Sequence, residues 1–192
     1  YSARNTIWDT ERGNTKHLYT DGTNAETTDT VNPPLDSFNT DGFTLGDGSS
    51  GWDLNRSPYT QANWTWRKQK GFFDIVTYTG NDVNTGRQIA HNLGSIPGMI
   101  FIKSVSSARE WVVYHRGTDP SSPENYMLSL NTTDGKYAGN GGYFRDTAPT
   151  ATHFTIGGAS SVNYNNETFV AYLFAGGEST AATARSVDFN GS

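Results

Sequence analysis

The sequence feature that most constrains the fold is an internal repeat. The segment 146–174 resembles the earlier segment 36–66 in the order and spacing of its aromatic, glycine and asparagine residues. The matching positions are Phe43-Thr44-Leu45-Gly46 with Phe154-Thr155-Ile156-Gly157, Leu54-Asn55 with Val162-Asn163, and Trp64 and Trp66 with Tyr172 and Phe174. Self-similarity over such a long period indicates a chain that is built from related structural units.

The repeat predicts how the chain is divided. The second copy is preceded by the strand-like lead 72–103, for which the first copy has no counterpart. We therefore predict an incomplete first repeat unit over 1–70, a complete second unit over 71–177, and a linker with the start of a further domain over 178–192. On this interpretation Tyr1 is a cut or processing site within a longer modular protein. The missing lead strands also predict that another segment or a neighbouring subunit completes the first unit.

Composition and periodicity predict an all-β protein made of tandem β-sandwich, jelly-roll-like repeat units. Aromatic residues reach 13% and charged residues 17%, and short β-branched or aromatic runs alternate with polar turns. The run 99–102 is continuously apolar, which indicates a strand that is buried on both faces. The predicted strands are 6–9, 43–45, 62–66, 73–79, 87–91, 99–102, 111–115, 126–130, 153–156 and 168–174.

Charge and composition exclude several classes of function. The net charge is −5, which disfavours a nucleic-acid partner because such a partner requires a basic face. The densest basic run, Arg67-Lys68-Gln69-Lys70, lies at the predicted unit boundary and is interpreted as a solvated linker. There is no cysteine, so no disulfide framework is possible. No apolar run is long enough to span a membrane, and we expect no membrane insertion.

Four segments together resemble repeated domains in tail-fibre-like structural proteins of bacteriophages, especially marine and cyanobacterial ones. They are SFNTDGFTLG, FDIVTYTGN, RQIAHNLGSIPGMIFIK and REWVVYHRG. The terminal SVDFNGS is similar to the entry strand of laminin-G or concanavalin-like domains. The resemblance implies a structural module of an extracellular virion, with other virion proteins as partners. It also implies a homo-oligomer, with a trimer favoured, and it assigns no catalytic residues.

The sequence shows no set of residues with the spacing that catalysis or metal binding requires. The four histidines do not have a metal-ligand spacing, and the carboxylates sit in predicted turns without the pairing that glycoside cleavage requires. An oxygen-rich group at Asp41, Asp47 and Asp53 would suit calcium, but these residue types are also the ordinary turn formers. We therefore predict no enzyme activity, no metal site and no cofactor.

Two aromatic residues, Trp52 and Tyr59, flank loops of the first copy and are the candidate glycan-binding residues. Their rings would suit stacking on a sugar, although Trp52 would equally well cover the edge of its own core. The expected function is a non-enzymatic adhesion module of a phage appendage that presents loops to a host surface glycan or receptor. The alternative is a secreted bacterial carbohydrate-binding or adhesin module. A third hypothesis is a depolymerase, and such an enzyme would need a carboxylate pair inside a groove.

Overall fold

The computed structural model describes residues 4–31, 33–46, 53–55 and 60–176. Within these ranges the chain forms thirteen strands and very little helix, which confirms the all-β prediction. The strands are β1 (Thr6–Asp9), β2 (Gly13–Tyr19), β3 (Thr27–Thr28), β4 (Leu35–Phe38), β5 (Phe43–Leu45), β6 (Phe73–Thr79), β7 (Arg87–Ala90), β8 (Pro97–Ser104), β9 (Val112–His115), β10 (Tyr126–Ser129), β11 (Tyr137–Ala138), β12 (His153–Ile156) and β13 (Thr168–Ala175). The helical segments are α1 (Ser160–Asn163) and the single 3-10 turns Asp53–Asn55 and Pro123–Asn125.

The centre of the fold is a six-stranded antiparallel sheet in the order β11-β10-β9-β8-β13-β6. β13 pairs with β6 along one side and with β8 along the other, so both of its backbone edges are hydrogen-bonded. Both faces of β13 and β8 are also covered, and each strand is accordingly an almost continuous apolar run. Ile100 and Ile102 are fully buried on one face of β8, and Phe101 packs on the other. The run at 99–102 is thus confirmed as a strand, with one face fully buried and the other, which carries Met99 and Phe101, partly buried.

One face of the central sheet is covered by the two-stranded antiparallel sheet β7-β12 and by α1. Ile89 of β7, Phe154 and Ile156 of β12, and Val162 of α1 point into this core. Alternate residues of β13 face it, because successive side chains of a strand point to opposite sides. The buried side chains of this core are Tyr78, Ile89, Leu93, Ile100, Ile102, Val112, Tyr114, Met127, Phe144, Phe154, Ile156, Val162, Phe169, Ala171 and Leu173.

The opposite face is covered by the three-stranded sheet β1-β2-β3. Leu18 of β2 is fully buried here against Trp111 and Tyr172 of the central sheet. The Trp111 indole Nε1 donates a hydrogen bond to the Tyr19 carbonyl at 2.8 Å. Residues assigned by sequence to the first repeat unit thus form a third layer on the sheet of the second.

A buried charged network joins these two layers. The Arg12 guanidinium donates to Asp9 Oδ2 at 2.6 Å, to Glu26 Oε2 at 3.1 Å and to the Tyr172 hydroxyl at 3.2 Å. That hydroxyl in turn donates to Asp9 Oδ2 at 2.6 Å. The side chains of Arg12 and Asp9 are only 4% and 2% exposed. Because each buried charge has an opposite partner, the network fixes one position of the N-terminal sheet on the central sheet.

The two matched segments share one local feature. Both copies contain a short strand, a glycine and then a helical turn: β5, Gly46 and Asp53–Asn55 in the first, and β12, Gly157 and α1 in the second. The N–H of Gly46 donates to the Pro34 carbonyl at 2.9 Å, and the N–H of Gly157 donates to the Tyr143 carbonyl at 2.8 Å. In both places backbone carbonyls occupy the space that a Cβ atom would need, so the chain requires glycine.

The strand predicted over 62–66 is wrong. This segment has no regular secondary structure, and Trp64 and Trp66 are 81% and 43% exposed, whereas Tyr172 and Phe174 lie in β13. The Trp-Thr-Trp alternation is typical of a strand, but a strand also needs a hydrogen-bonding neighbour. The chain provides only one isolated bridge here, between Gln69 and Phe73, before it turns into β6. The aromatic strand that completes the second copy therefore has no counterpart at this position.

Candidate functional site

The candidate glycan-binding residues from the sequence, Trp52 and Tyr59, lie outside the described residues. The same holds for Asp47 of the oxygen-rich group. Among the residues that the structure does describe, no three His, Cys, Asp or Glu side chains are arranged to hold a metal ion. The described part of the chain also contains no helix that is long and apolar enough to cross a membrane.

An open cleft lies at the β11 edge of the central sheet, and we name it the tyrosine cleft. Its volume is about 270 Å³, and it is bounded by the β10–β11 hairpin, the glycine-rich loop 139–146 and α1. It is lined by Glu110, Met127, Ser129, Asp134, Gly135, Lys136, Tyr137, Tyr143 and Ser161. The lining therefore combines two aromatic rings with carboxylates and hydroxyl groups.

The two tyrosines form one side of this cleft. Tyr137 pairs with Met127 across the β10–β11 ladder, which places the two side chains on the same face of the sheet. The Tyr137 and Tyr143 rings meet edge to face, with their centroids 6.3 Å apart at 88°. Tyr137 remains 57% exposed. A large aromatic ring is thus held in a defined orientation and still open to solvent.

The loop 139–146 fixes the position of Tyr143. Asn140 and Gly141 both adopt positive φ values, 46° and 71°, which turn the chain back toward the sheet. The Gly141 N–H donates to Asp146 Oδ1 at 3.1 Å, and the Tyr143 carbonyl accepts from Gly157 at 2.8 Å. Partial burial, reinforced by the nearby Tyr137 and Glu110, raises the pKa of the Tyr143 hydroxyl, which therefore stays a hydrogen-bond donor at neutral pH.

The charged groups give the cleft an acidic character. Glu110 accepts a hydrogen bond from the Asn131 side-chain amide. The Oδ1 atom of Asn131 in turn accepts from the backbone N–H of Trp111 at 2.9 Å, so the Glu110 carboxylate is held in place. The Lys136 ammonium turns away to Asp119 Oδ2 at 3.1 Å and lies over the Tyr126 ring at 4.2 Å. Lys136 is the one cation among the described lining residues, and its ammonium is already paired, so the cleft mainly offers hydrogen-bond acceptors.

This combination suits a neutral, polyhydroxylated ligand. A sugar ring has an apolar C–H face, which an exposed tyrosine can cover, and hydroxyls that donate to carboxylates. Ser129 and Ser161 can both donate and accept. The sequence analysis assigned no site to 131–145, which contributes part of the lining of this cleft. The signal present in it was an aromatic residue, Tyr137, among small and polar neighbours.

A second polar cluster is structural. The Arg109 guanidinium binds Glu167 through two hydrogen bonds of 2.7 Å, and Ser104 Oγ donates to the same carboxylate at 2.9 Å. The Arg109 hydrogen bonds outweigh the opposing effect of burial and, with help from Ser107 and Ser104, lower the pKa of Glu167 to about 2. Next to them, burial lowers the pKa of Lys103 to about 8. The cluster joins β8 and the 105–110 loop to the start of β13.

Replacing Glu167 by glutamine is expected to lower the free energy of unfolding at pH 7 by about 3 kcal/mol. The folded-state pKa lies below the unfolded value, so the wild-type advantage is present above about pH 4.5 and is lost as the pH falls toward 2. Urea titrations of both proteins at a series of pH values will measure this. The control is an Arg109→Gln/Glu167→Gln double variant. It lacks the ion pair, so its free energy of unfolding should not show this dependence on pH. A difference that does not change with pH would contradict the assignment.

Comparison with known proteins gives one match. A family model described as "Domain of unknown function (DUF7483)" matches residues 1–184. No curated protein and no solved structure matches the sequence. The match runs across both predicted units, and its description states no function, so function has to be argued from the cleft.

Proposed function

We propose that this chain, which belongs to the DUF7483 family, is a non-enzymatic structural and adhesion module of a bacteriophage virion appendage. In this proposal the tyrosine cleft binds a glycan of the host surface. The observation that carries the proposal is the ring of Tyr137, which is 57% exposed beside the Glu110 carboxylate and the half-buried Tyr143. Exposed aromatic rings with a few convergent polar groups are typical of binding sites.

The virion setting is supported by the sequence resemblance to tail-fibre-like proteins. In this proposal the protein is extracellular, and its partners are other virion proteins and copies of itself in a trimer. A tandem arrangement of sandwich units belongs to the same proposal. The shared strand, glycine and helical turn of the two copies support it at the local level.

A secreted bacterial carbohydrate-binding module is the alternative, and it would use the same cleft. The two settings differ in where the protein is found. Mass spectrometry of purified phage particles should detect peptides of this chain if it is a virion protein. Detection only in the culture medium of uninfected bacteria would favour the alternative.

The cleft also bears on whether the protein is an enzyme, because Glu110 and Asp134 both line it. Glycoside hydrolysis needs one carboxylic acid that keeps its proton and one carboxylate. Glu110 accepts a hydrogen bond from the Asn131 side-chain amide, an arrangement that suits an acceptor of sugar hydroxyls. We expect binding without release of reducing ends. Release that disappears in a Glu110→Gln variant would replace the adhesion proposal with a hydrolase.

Replacing Tyr137 by alanine is expected to weaken glycan binding about tenfold or more, since one aromatic stacking contact is lost. The binding measurement is a screen on immobilised neutral oligosaccharides (glucans, mannans and galactans), followed by calorimetric titration with the best binder. Tyr164→Ala is the matched control, because Tyr164 is 46% exposed and lies outside the cleft. Unchanged binding by the Tyr137 variant would show that the cleft is not the site.

A further inference from the structure

The segment 60–72, which we name the tryptophan strap, crosses the outer edge of β6. It is attached there by Lys68, whose ammonium donates to Glu11 Oε1 at 2.8 Å and to the Ile75 carbonyl at 3.1 Å. The same ammonium lies 3.3 Å from Asp74 Oδ1. Lys68 therefore connects the N-terminal sheet, the strap and β6, and it does not belong to a solvated linker as the sequence suggested.

Further contacts hold the strap along its length. The Trp66 ring lies 5.6 Å from the Phe174 ring at 85°, and 6.2 Å from the Phe73 ring. The Gln69 N–H donates to the Phe73 carbonyl at 2.9 Å, and the Gly71 N–H donates to a carbonyl of the 91–94 loop at 2.7 Å. The strap is thus an irregular segment in a defined conformation, which lowers the entropic cost of binding a ligand.

Several side chains of the strap remain open to solvent. Trp64 is 81% exposed, Trp66 43% and Phe72 44%. Arg67 and Lys70 are also exposed, and neither forms an ion pair or hydrogen bond with any residue in the described parts of the chain. Large apolar rings grouped on a surface mark an interaction site more often than chance exposure.

A cleft of about 260 Å³ lies between the 68–70 part of the strap and the start of β6. It is lined by Lys68, Gln69, Lys70, Phe73, Asp74 and Asn92. The Asp74 carboxylate is already paired with Lys68 and accepts from the Asn92 N–H at 2.7 Å, so its charge is offset. The side-chain amides of Gln69 and Asn92 and the ammonium of Lys70 are the groups that this cleft presents to a ligand.

We propose that the tryptophan strap and this cleft form a second binding site, which takes an acidic polysaccharide. The indole rings would cover the C–H faces of consecutive sugars, and Arg67 and Lys70 would pair with carboxylate or sulfate groups. The local charge favours an acidic ligand over a neutral one. The chain as a whole has a net charge of −5, whereas Arg67 and Lys70 add two exposed positive charges to the strap that carries the exposed rings. The tyrosine cleft is acidic and shares no residue with this site.

The test uses two polymers with the same backbone, dextran and dextran sulfate, in biolayer interferometry with the full chain. We expect binding to dextran sulfate and at least tenfold weaker binding to dextran. Trp64→Ala and an Arg67→Gln/Lys70→Gln double variant should each weaken dextran sulfate binding about tenfold. Raising sodium chloride from about 50 to about 500 mM should weaken it further, because salt screens exposed charges.

Two controls isolate the strap. Arg145→Gln removes an exposed cation elsewhere and should leave dextran sulfate binding unchanged. Tyr137→Ala should also leave dextran sulfate binding unchanged, so the experiment tests this site independently of the tyrosine cleft. Equal binding of dextran and dextran sulfate, or full binding by the Trp64 variant, would overturn the proposal. Binding to phosphatidylglycerol vesicles with no binding to dextran sulfate would show a membrane surface instead and would also overturn it.

Discussion

Replacing Arg12 by methionine is expected to lower the free energy of unfolding by about 3–5 kcal/mol, because one partner of a buried charged network is removed. Asp9 and Glu26 would keep their charges at 2% and 12% side-chain exposure. The Tyr172 hydroxyl would lose one of its two hydrogen-bond partners. Burial alone would lower the pKa of the Arg12 guanidinium. The effect of the neighbouring Tyr172, Asp9 and Glu26 is larger than that of burial, so the pKa is raised.

Urea titration with a fitted m-value will measure this loss, and Arg4→Met is the matched control. Arg4 forms the same kind of pair with Asp21, but both side chains are more than a third exposed, so we expect a loss of about 1 kcal/mol or less. If the Arg12 variant does not fold, Tyr172→Phe tests the same network through the loss of one hydroxyl. A loss below about 1 kcal/mol for Arg12→Met would mean that the network does not hold the layers together.

Replacing Trp111 by alanine is expected to cost about 3–5 kcal/mol of unfolding free energy. Trp111 is fully buried between the central sheet and the N-terminal sheet, and its ring stacks on Tyr172 with centroids 6.2 Å apart. The variant would leave a cavity at this contact and an unpaired carbonyl at Tyr19. Both effects act on the layer of the fold that residues 4–31 form.

Trp64→Ala is the matched control for this experiment, since the same change at an 81% exposed ring should alter stability by about 0.5 kcal/mol or less. Trp111→Phe keeps an aromatic ring at this contact, removes the indole donor and leaves a smaller cavity than alanine does, so it should cost less than Trp111→Ala. Equal stability losses for the Trp64 and Trp111 variants would contradict the burial of Trp111 between two layers.

Local alternation in the sequence was enough to predict most strands. The predicted segments 6–9, 43–45, 73–79 and 153–156 coincide with β1, β5, β6 and β12. Each is a short run of β-branched or aromatic residues bounded by turn formers, so the signal lies within the segment itself. The segment 62–66 carries the same signal and fails, because pairing depends on a neighbour that local sequence does not specify.

The pairing of strands could not be predicted in this way. Leu18 and Ile7 carry ordinary strand signals, and nothing in their own segments indicates that they pack on Tyr172. Asp9 ends the predicted strand 6–9 and Arg12 follows it closely in sequence, and no local signal indicates that they are among the most buried charges described. The tyrosine cleft was missed for the same reason, since Tyr137 and Glu110 come together only through the β10–β11 ladder and the loop 139–146.

The place of β13 in the central sheet has a consequence for synthesis. β13 is the last described strand along the chain, yet it lies between β6 and β8, which are made much earlier. Until 168–175 leave the ribosome, β6 and β8 have no partner on the sides that will face β13, and the apolar run of β8 remains uncovered. The sheet can close only after nearly the whole described chain has been translated. Such long-range pairing slows folding and leaves the nascent chain exposed to aggregation until β13 is made.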